Sequence, residues 1–139
     1  MIYVYTDGGA RGNPGPAAIG VFICDENGKQ IHGFGKTIGE TTNNIAEYTA
    51  VNEALEWLLN NKHILKSHAK IHFFLDSLLL VSQINRIYKI KNPKLQELLF
   101  SVREKESQLL CPVSYTHIPR EKNKKADALV NLALDNKLQ

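Results

Sequence analysis

The sequence predicts an α/β fold with the element order β β β α β α α β α. Three observations carry that reading. Short runs rich in β-branched and aromatic residues, parted by Gly, Pro and Asn turns, fill the first forty positions. From Ile45 onward the apolar residues fall at helical spacing, and strand-like runs then alternate with helical ones. The chain has 139 residues, 43% hydrophobic and 22% charged, the size and balance of one domain with a full core.

The first strand is expected over Ile2 to Thr6, with Asp7-Gly8-Gly9 stopping it and Gly12-Asn13-Pro14-Gly15-Pro16 extending the turn. A second strand follows over about Ala17 to Cys24. The Asp25-Glu26-Asn27-Gly28 turn leads into a third over Lys29 to Ile38, so these three form an antiparallel meander. Thr41 or Thr42 caps a helix that starts near Asn43 or Asn44 and ends near Asn60, with Ile45, Val51, Ala54, Leu55 and Leu58 in its apolar set. Lys70 to Leu75 reads as a buried strand, Ser77 to about Ile87 as a helix and Pro93 to about Leu109 as another. Pro112 to His117 is a strand, and Asn123 to Leu134 a closing helix. No repeat, low-complexity tract or Gly/Ser-rich linker divides the chain, so a single domain over 1–139 is expected.

Composition excludes some classes. No run approaches the roughly 18 apolar residues of a membrane span, and the start has no basic leader ahead of an apolar region, so no membrane partner and a cytoplasmic location are expected. Cys24 and Cys111 are isolated beside apolar runs and read as buried thiols in a reducing compartment, with oxidation open only if they are adjacent. The net charge of +3 is unevenly spread. Residues 1–75 hold six basic and seven acidic side chains, residues 76–139 eleven and seven. Arg86, Lys89, Lys91 and Lys94 form one basic cluster, and Arg120, Lys122, Lys124 and Lys125 another.

Four carboxylates carry the chemistry. Asp7 and Asp76 each follow the last residue of an expected strand, and they share one sheet edge if those strands are parallel neighbours. Glu47 lies on the helical face of Val51, Ala54, Leu55 and Leu58, and Asp127 lies between Ala126 and Ala128 in the last helix. Singly, each has an ordinary explanation as a cap, a turn residue, an ion-pair partner or a solvated acid. Together, with no evident cationic partner, they are better neutralised by two divalent cations. Hard oxygen donors without Cys or paired His favour Mg²⁺ or Mn²⁺ over zinc.

Four segments resemble, in order, the signature motifs of type 1 ribonuclease H. They are Thr6-Asp7-Gly8-Gly9-Ala10-Arg11-Gly12-Asn13-Pro14-Gly15-Pro16, Thr42-Asn43-Asn44-Ile45-Ala46-Glu47-Tyr48, Asp76-Ser77, and the stretch from His117-Ile118-Pro119-Arg120 to Ala126-Asp127. The resemblance implies a ribonuclease H-like fold, a five-stranded mixed sheet of order 3-2-1-4-5 flanked by helices. It implies endonucleolytic hydrolysis of the RNA strand of RNA/DNA hybrids with two Mg²⁺ ions, leaving a 5′-phosphate and a 3′-hydroxyl. Asp7 would bridge both ions, Asp127 would help hold the one that activates water, and Glu47 with Asp76 the one at the leaving oxygen. His117 is similar to the family histidine linked to proton transfer or product release. Asn13, Asn43 and Asn44, with backbone groups of the turn at Gly8, match positions that contact the hybrid and would read the RNA 2′-hydroxyl. Thr42 would take a DNA-strand phosphate, and Ser77 and Asn123 match further contact positions.

The chain departs from some bacterial members, which carry a Trp-bearing basic protrusion between the middle helices. Here residues 86–93 are short and hold no Trp, as in the compact archaeal and related bacterial branch. Lys89 and Lys91 are expected to supply part of the DNA-strand contact in its place. With no hybrid-binding module ahead of the domain, weak affinity and low processivity are expected, and the protein is expected to act as a monomer. Leu78 stands where some relatives carry a polar contact residue. Two other classes stay open: a nuclease of the same superfamily cutting double-stranded RNA or DNA junctions, and a catalytically silent nucleic-acid-binding domain.

Overall fold

Alternation along the strands sorts the sheet into two faces, one built for a thick core and one left partly open. A computed structural model describes residues 1–65 and 69–136. Its elements are β1 (Ile2–Ala10), β2 (Gly15–Asp25), β3 (Gln30–Thr41), α1 (Asn43–Asn60), β4 (Ile71–Leu75), α2 (Leu78–Ile84), α3 (Pro93–Leu109), β5 (Val113–His117) and α4 (Lys124–Leu134). The strands lie in the order β3-β2-β1-β4-β5. β1 pairs antiparallel with β2, as β2 does with β3, while β4 runs parallel to both β1 and β5. The expected order 3-2-1-4-5 is therefore the observed one.

On one face Val4, Val21, Ile23, Ile71 and Phe73 pack with Tyr48, Val51, Leu55 and Leu58 of α1 and Val102 of α3, all fully buried. On the other face a smaller cluster joins Ala18 of β2 to Val130 and Ala133 of α4. Each fully buried Val or Leu contributes on the order of 1.5–3 kcal/mol relative to exposure, so the first face dominates stability.

Local chemistry sets most boundaries. Thr42 Oγ1 accepts from Ile45 N at 3.3 Å and starts α1; Ser77 Oγ accepts from Leu80 N at 3.2 Å and starts α2. Asn92 Oδ1 accepts from Lys94 N at 2.8 Å ahead of Pro93, which opens α3.

Several boundaries differ from expectation; β2 starts at Gly15 rather than about Ala17, and β3 runs on to Thr41 rather than ending at Ile38, because the two strands pair as far as Gly15 and Thr41. β1 does not stop at Asp7, because Asp7, Gly8 and Gly9 continue the ladder opposite Gly20, Ile19 and Ala18 of β2. Gly8 is needed there for closeness: a Cβ would run into the backbone of Ala46 and Glu47 at the start of α1. α2 ends at Ile84, three residues early, and Arg86 follows with φ of 64° in the left-handed region. α4 begins at Lys124 after a 3₁₀ turn over Arg120–Lys122. Cys24 lies buried on β2 and Cys111 half-buried just before β5, with β1 and β4 between those strands, so the two thiols are not sheet neighbours.

Candidate active site

The parallel pairing of β1 with β4 brings Asp7 and Asp76 together. Tyr5 is in register with Phe74, so Asp7, two residues further along β1, emerges beside Asp76, two residues further along the other chain segment. Glu47 comes up from the first turns of α1, held close by the Gly8 contact, and Asp127 comes down from the first turn of α4. Oxygens of Asp7, Glu47 and Asp76 all lie within 4.8 Å of one another. Asp127 stands outside that triplet but within hydrogen-bonding reach of Asp7. All four acids are half-buried.

The electrostatics record the crowding. Burial, then the charges of Asp76 and Asp127, a hydrogen bond with Asp127 and the charge of Glu47 push the Asp7 carboxyl up to about 8. Burial also lifts Glu47 to about 7; a hydrogen bond from Ser77 opposes the rise and the charge of Asp76 adds to it. Two carboxyls that resist ionisation near neutrality, surrounded by hard oxygen donors, fit divalent cations, which would reverse both shifts.

The expectation that these acids have no cationic partner needs correction at one point. Arg120 Nη2 stands 3.9 Å from Asp127 Oδ1, although its side chain is 82% exposed and such a pair contributes little. Asn131 Nδ2 also donates to Asp127 Oδ2 at 3.5 Å. Both residues line, with the four acids and Asn43, a cleft of about 460 Å³. Arg120 was visible in the sequence as part of a basic cluster, seven residues before Asp127. Asn131, one helical turn after Asp127, carried no separate signal.

The other expected site residues are placed unevenly. Asn43 and Asn13 tie the loop after β1 to the start of α1: Asn43 Oδ1 accepts from Ala10 N at 2.8 Å, and Asn13 Oδ1 accepts from Asn43 N at 3.0 Å. Asn44 is exposed beside them. Asn123, expected to touch substrate, is 1% exposed, and its amide donates inward to Thr6 O at 2.9 Å and Asp76 Oδ2 at 3.2 Å. Its side chain is thus buried and directed at Thr6 and Asp76 rather than at the surface. His117 is exposed and closes β5, the end expected for that strand; it pairs with Leu75, and Ile118 N donates to Leu75 O at 2.8 Å. It thus ends next to the strand that delivers Asp76. Lys89 and Lys91 are exposed in the segment after α2. Lys89 lines a separate cavity of about 520 Å³ with Tyr88, Phe100 and Arg103, so neither lysine joins the carboxylate cleft.

A family model described as reverse transcriptase-like matches residues 5–133. LC11-RNase H1, isolated from compost by a metagenomic approach, is 46% identical, with a TM-score of 0.93 over 100% of this chain and 99% of that one. The chain belongs to the type 1 ribonuclease H family. A second structure of LC11-RNase H1, in complex with an RNA/DNA hybrid, superposes with a TM-score of 0.93 at 45% identity over the full length of both chains. Ribonuclease HI of Halobacterium salinarum is 38% identical over 138 residues, which are 97% of this chain and 65% of that protein. The bifunctional protein Rv2228c of Mycobacterium tuberculosis is 32% identical over 135 residues, 96% of this chain and 35% of that protein. This ribonuclease H chain thus spans less than two-thirds of the length of either curated relative. Its five-stranded fold is shared with the superposed RNase H1 structures, and among the described residues no helix is long and apolar enough to cross a membrane.

Proposed function

We propose that this ribonuclease H is an endonuclease that hydrolyses the RNA strand of RNA/DNA hybrids, leaving 5′-phosphate and 3′-hydroxyl ends. The observation that carries the reading is the approach of Asp7, Glu47 and Asp76 to within 4.8 Å with Asp127 beside Asp7, which leaves concentrated negative charge for cations to neutralise. A relative of 45% identity crystallised with an RNA/DNA hybrid supports the choice of substrate.

Asp7, Glu47, Asp76 and Asp127 would hold two Mg²⁺ ions, with Mn²⁺ able to substitute, Asp7 being shared between them. When bound, such ions supply Lewis acidity at the scissile phosphate and a nucleophile at neutral pH. The protein's own groups bind and orient. Asn43 uses its amide oxygen on Ala10, which leaves its NH₂ to donate to the RNA strand alongside Asn13, Asn44 and the Gly8 backbone. The Thr42 and Ser77 hydroxyls, held as helix caps through their lone pairs, keep an O–H to offer: Thr42 to a DNA-strand phosphate, Ser77 to Glu47. His117, paired with Leu75 at the end of β5, would move a proton or speed product departure. Asn123 acts on the site from beneath by fixing Asp76. Residues 1–139 act as one domain, as a monomer, in the cytoplasm.

One labelled duplex made as RNA/DNA, RNA/RNA and DNA/DNA tests the reading with Mg²⁺, Mn²⁺ or EDTA. Cleavage of the hybrid's RNA strand, abolished by EDTA, is expected. Equal cleavage of all three would replace it with a general duplex nuclease, and binding without cleavage with a silent binding domain.

A further inference from the structure

The sheet face that α4 only partly covers carries a row of aromatic rings that the proposed chemistry does not use. Tyr3, Tyr5 and Asp7 alternate on β1 with buried Val4 and Thr6, so all three side chains leave the same face of one strand. From Phe22 on β2 the row runs to Tyr5 at 6.4 Å between ring centroids and to Phe74 on β4 at 5.0 Å. It continues to Tyr3 at 5.5 Å and to His72 at 5.8 Å. Tyr5 and Phe74 are stacked, with their planes 27° apart. Tyr3, Tyr5, His72 and Phe74 are only half-buried, so this row of rings reaches the surface.

At the Phe22 end the row opens into a cavity of about 310 Å³ between the sheet and the start of α4. Tyr5 and Phe22 form its floor, and Glu121, Lys122, Lys124 and Lys125 its wall. Lys125 Nζ sits 4.5 Å from the centroid of the Phe22 ring. The segment of residues 120–127 separates this cavity from the catalytic cleft: Arg120 and Asp127 line the cleft, and Glu121, Lys122, Lys124 and Lys125 line the cavity. Three lysines against one glutamate leave an excess of two positive charges over an aromatic floor. A ring-shaped, anionic ligand suits that surface, and a succession of rings 5–6 Å apart suits a succession of bases.

We propose that this face binds an unpaired nucleic acid strand, with bases stacking along the half-buried Tyr5, Phe74 and Tyr3 and phosphates meeting Lys122, Lys124 and Lys125, while the buried Phe22 only backs Tyr5. Aromatic platforms flanked by cations bind single strands with little sequence preference, each stacked base contributing on the order of 1–3 kcal/mol. A duplex cannot use such a surface, because its bases already stack on one another and turn their edges, not their faces, outward. The platform starts one alternation along β1 from Asp7, so the strand it holds is a single-stranded flank of the molecule being cut. The binding site rests on its own geometry, and only the link to cutting rests on the proposed nuclease activity.

Fluorescence anisotropy with labelled dT12 and rU12 in EDTA measures binding without hydrolysis. The wild-type protein is expected to bind both, and Lys122→Glu/Lys125→Glu and Tyr3→Ser/Phe74→Ser each to weaken binding by about tenfold or more. Aromatic ¹H–¹³C NMR of the wild-type protein with dT12 should move the Tyr5, Phe74 and Tyr3 ring signals upfield, as stacking requires. A hybrid with a single-stranded flank should bind more tightly than the blunt hybrid of equal paired length, and both variants should erase that difference while cutting the blunt hybrid at the wild-type rate. Unmoved ring signals, or single-strand binding that both variants retain, would overturn the proposal. So would a concentration-dependent dimer or a bound protein covering these rings in place of the strand. If dT12 moves the rings but no hybrid is cut, the platform stands and the nuclease reading fails.

Discussion

Asn123 donates from a fully enclosed position to Asp76 Oδ2 at 3.2 Å and, with the same amide group, to the Thr6 carbonyl at 2.9 Å. One side chain at the head of α4 therefore holds the middle of β1 and the acid after β4 at a set separation. Asn123→Ala leaves the Thr6 carbonyl without that donor in a buried place, a loss of about 1–3 kcal/mol. The expected outcome is a lower Tm, together with a fall in kcat on the hybrid that exceeds any rise in KM, because Asp76 loses its fixed position while the substrate contacts remain. Asn123→Asp should be worse than Asn123→Ala at neutral pH, since it adds a carboxylate to a site already rich in them. Thermal melts and steady-state kinetics on the three proteins check both orders.

The raised carboxyls make stability depend on pH in a defined direction. The Asp7 carboxyl titrates at about 8 in the fold and near 3.8 when exposed, so between those values the folded chain holds a proton that the unfolded chain has lost. Stability of the cation-free protein then falls as pH rises from about 4 to about 8, and Glu47, raised to about 7, adds to the decline. Melting in EDTA across that range should give a falling Tm. Asp7→Asn should flatten the slope and raise Tm at pH 8, while abolishing hybrid cleavage with Mg²⁺. Added Mg²⁺ should restore much of the lost Tm in the wild-type protein and little in the variant.

What the sequence disclosed follows from where the physics is local. α1 was legible with only the choice between Thr41 and Thr42 as its cap left open, because a capping Thr and a regular apolar stripe specify it without help from elsewhere. β1 was not, because Asp7-Gly8-Gly9 has the composition of a turn. Only pairing with β2 and the close approach of α1 turn those glycines into strand. The end of α2 escaped for the opposite reason: Ile87 extends the apolar pattern, yet the chain has already left the helix at Asn85 and Arg86. Strand order and the convergence of the acids came from the motif resemblance, since periodicity does not say which strands are neighbours. The inward role of Asn123 was hidden because contact and burial look alike in one polar letter.

Glycine at position 20 sets how closely α4 can approach the sheet. A Cβ there would collide with the Ala126 carbonyl, the backbone immediately before Asp127. Gly20→Ala should destabilise by about 1–3 kcal/mol through overpacking and displace α4 outward, carrying Asp127 away from Asp7. Gly9→Ala is the matched control, because its added methyl would meet only Val130 Cγ1 at 3.9 Å, an ordinary contact. Chemical denaturation should separate the two by at least 1 kcal/mol, and the hybrid-cleavage rate should fall sharply only for Gly20→Ala.

Lys89 and Lys91 lie outside the carboxylate cleft, on the exposed segment that joins α2 to α3, where Arg86 and Tyr88 are also exposed. A duplex laid over the cleft is far longer than the cleft itself, so a basic segment at a distance can still meet a phosphate of the uncut strand. Each such contact releases condensed counterions and adds a little under 1 to the slope of log K against log salt. Lys89→Gln/Lys91→Gln should therefore reduce that slope for a blunt hybrid by about 1.5 to 2 and weaken binding most at low salt, with kcat at saturating substrate unchanged. An unaltered slope in a salt titration would remove both lysines from the substrate interface and leave them as solvated charges.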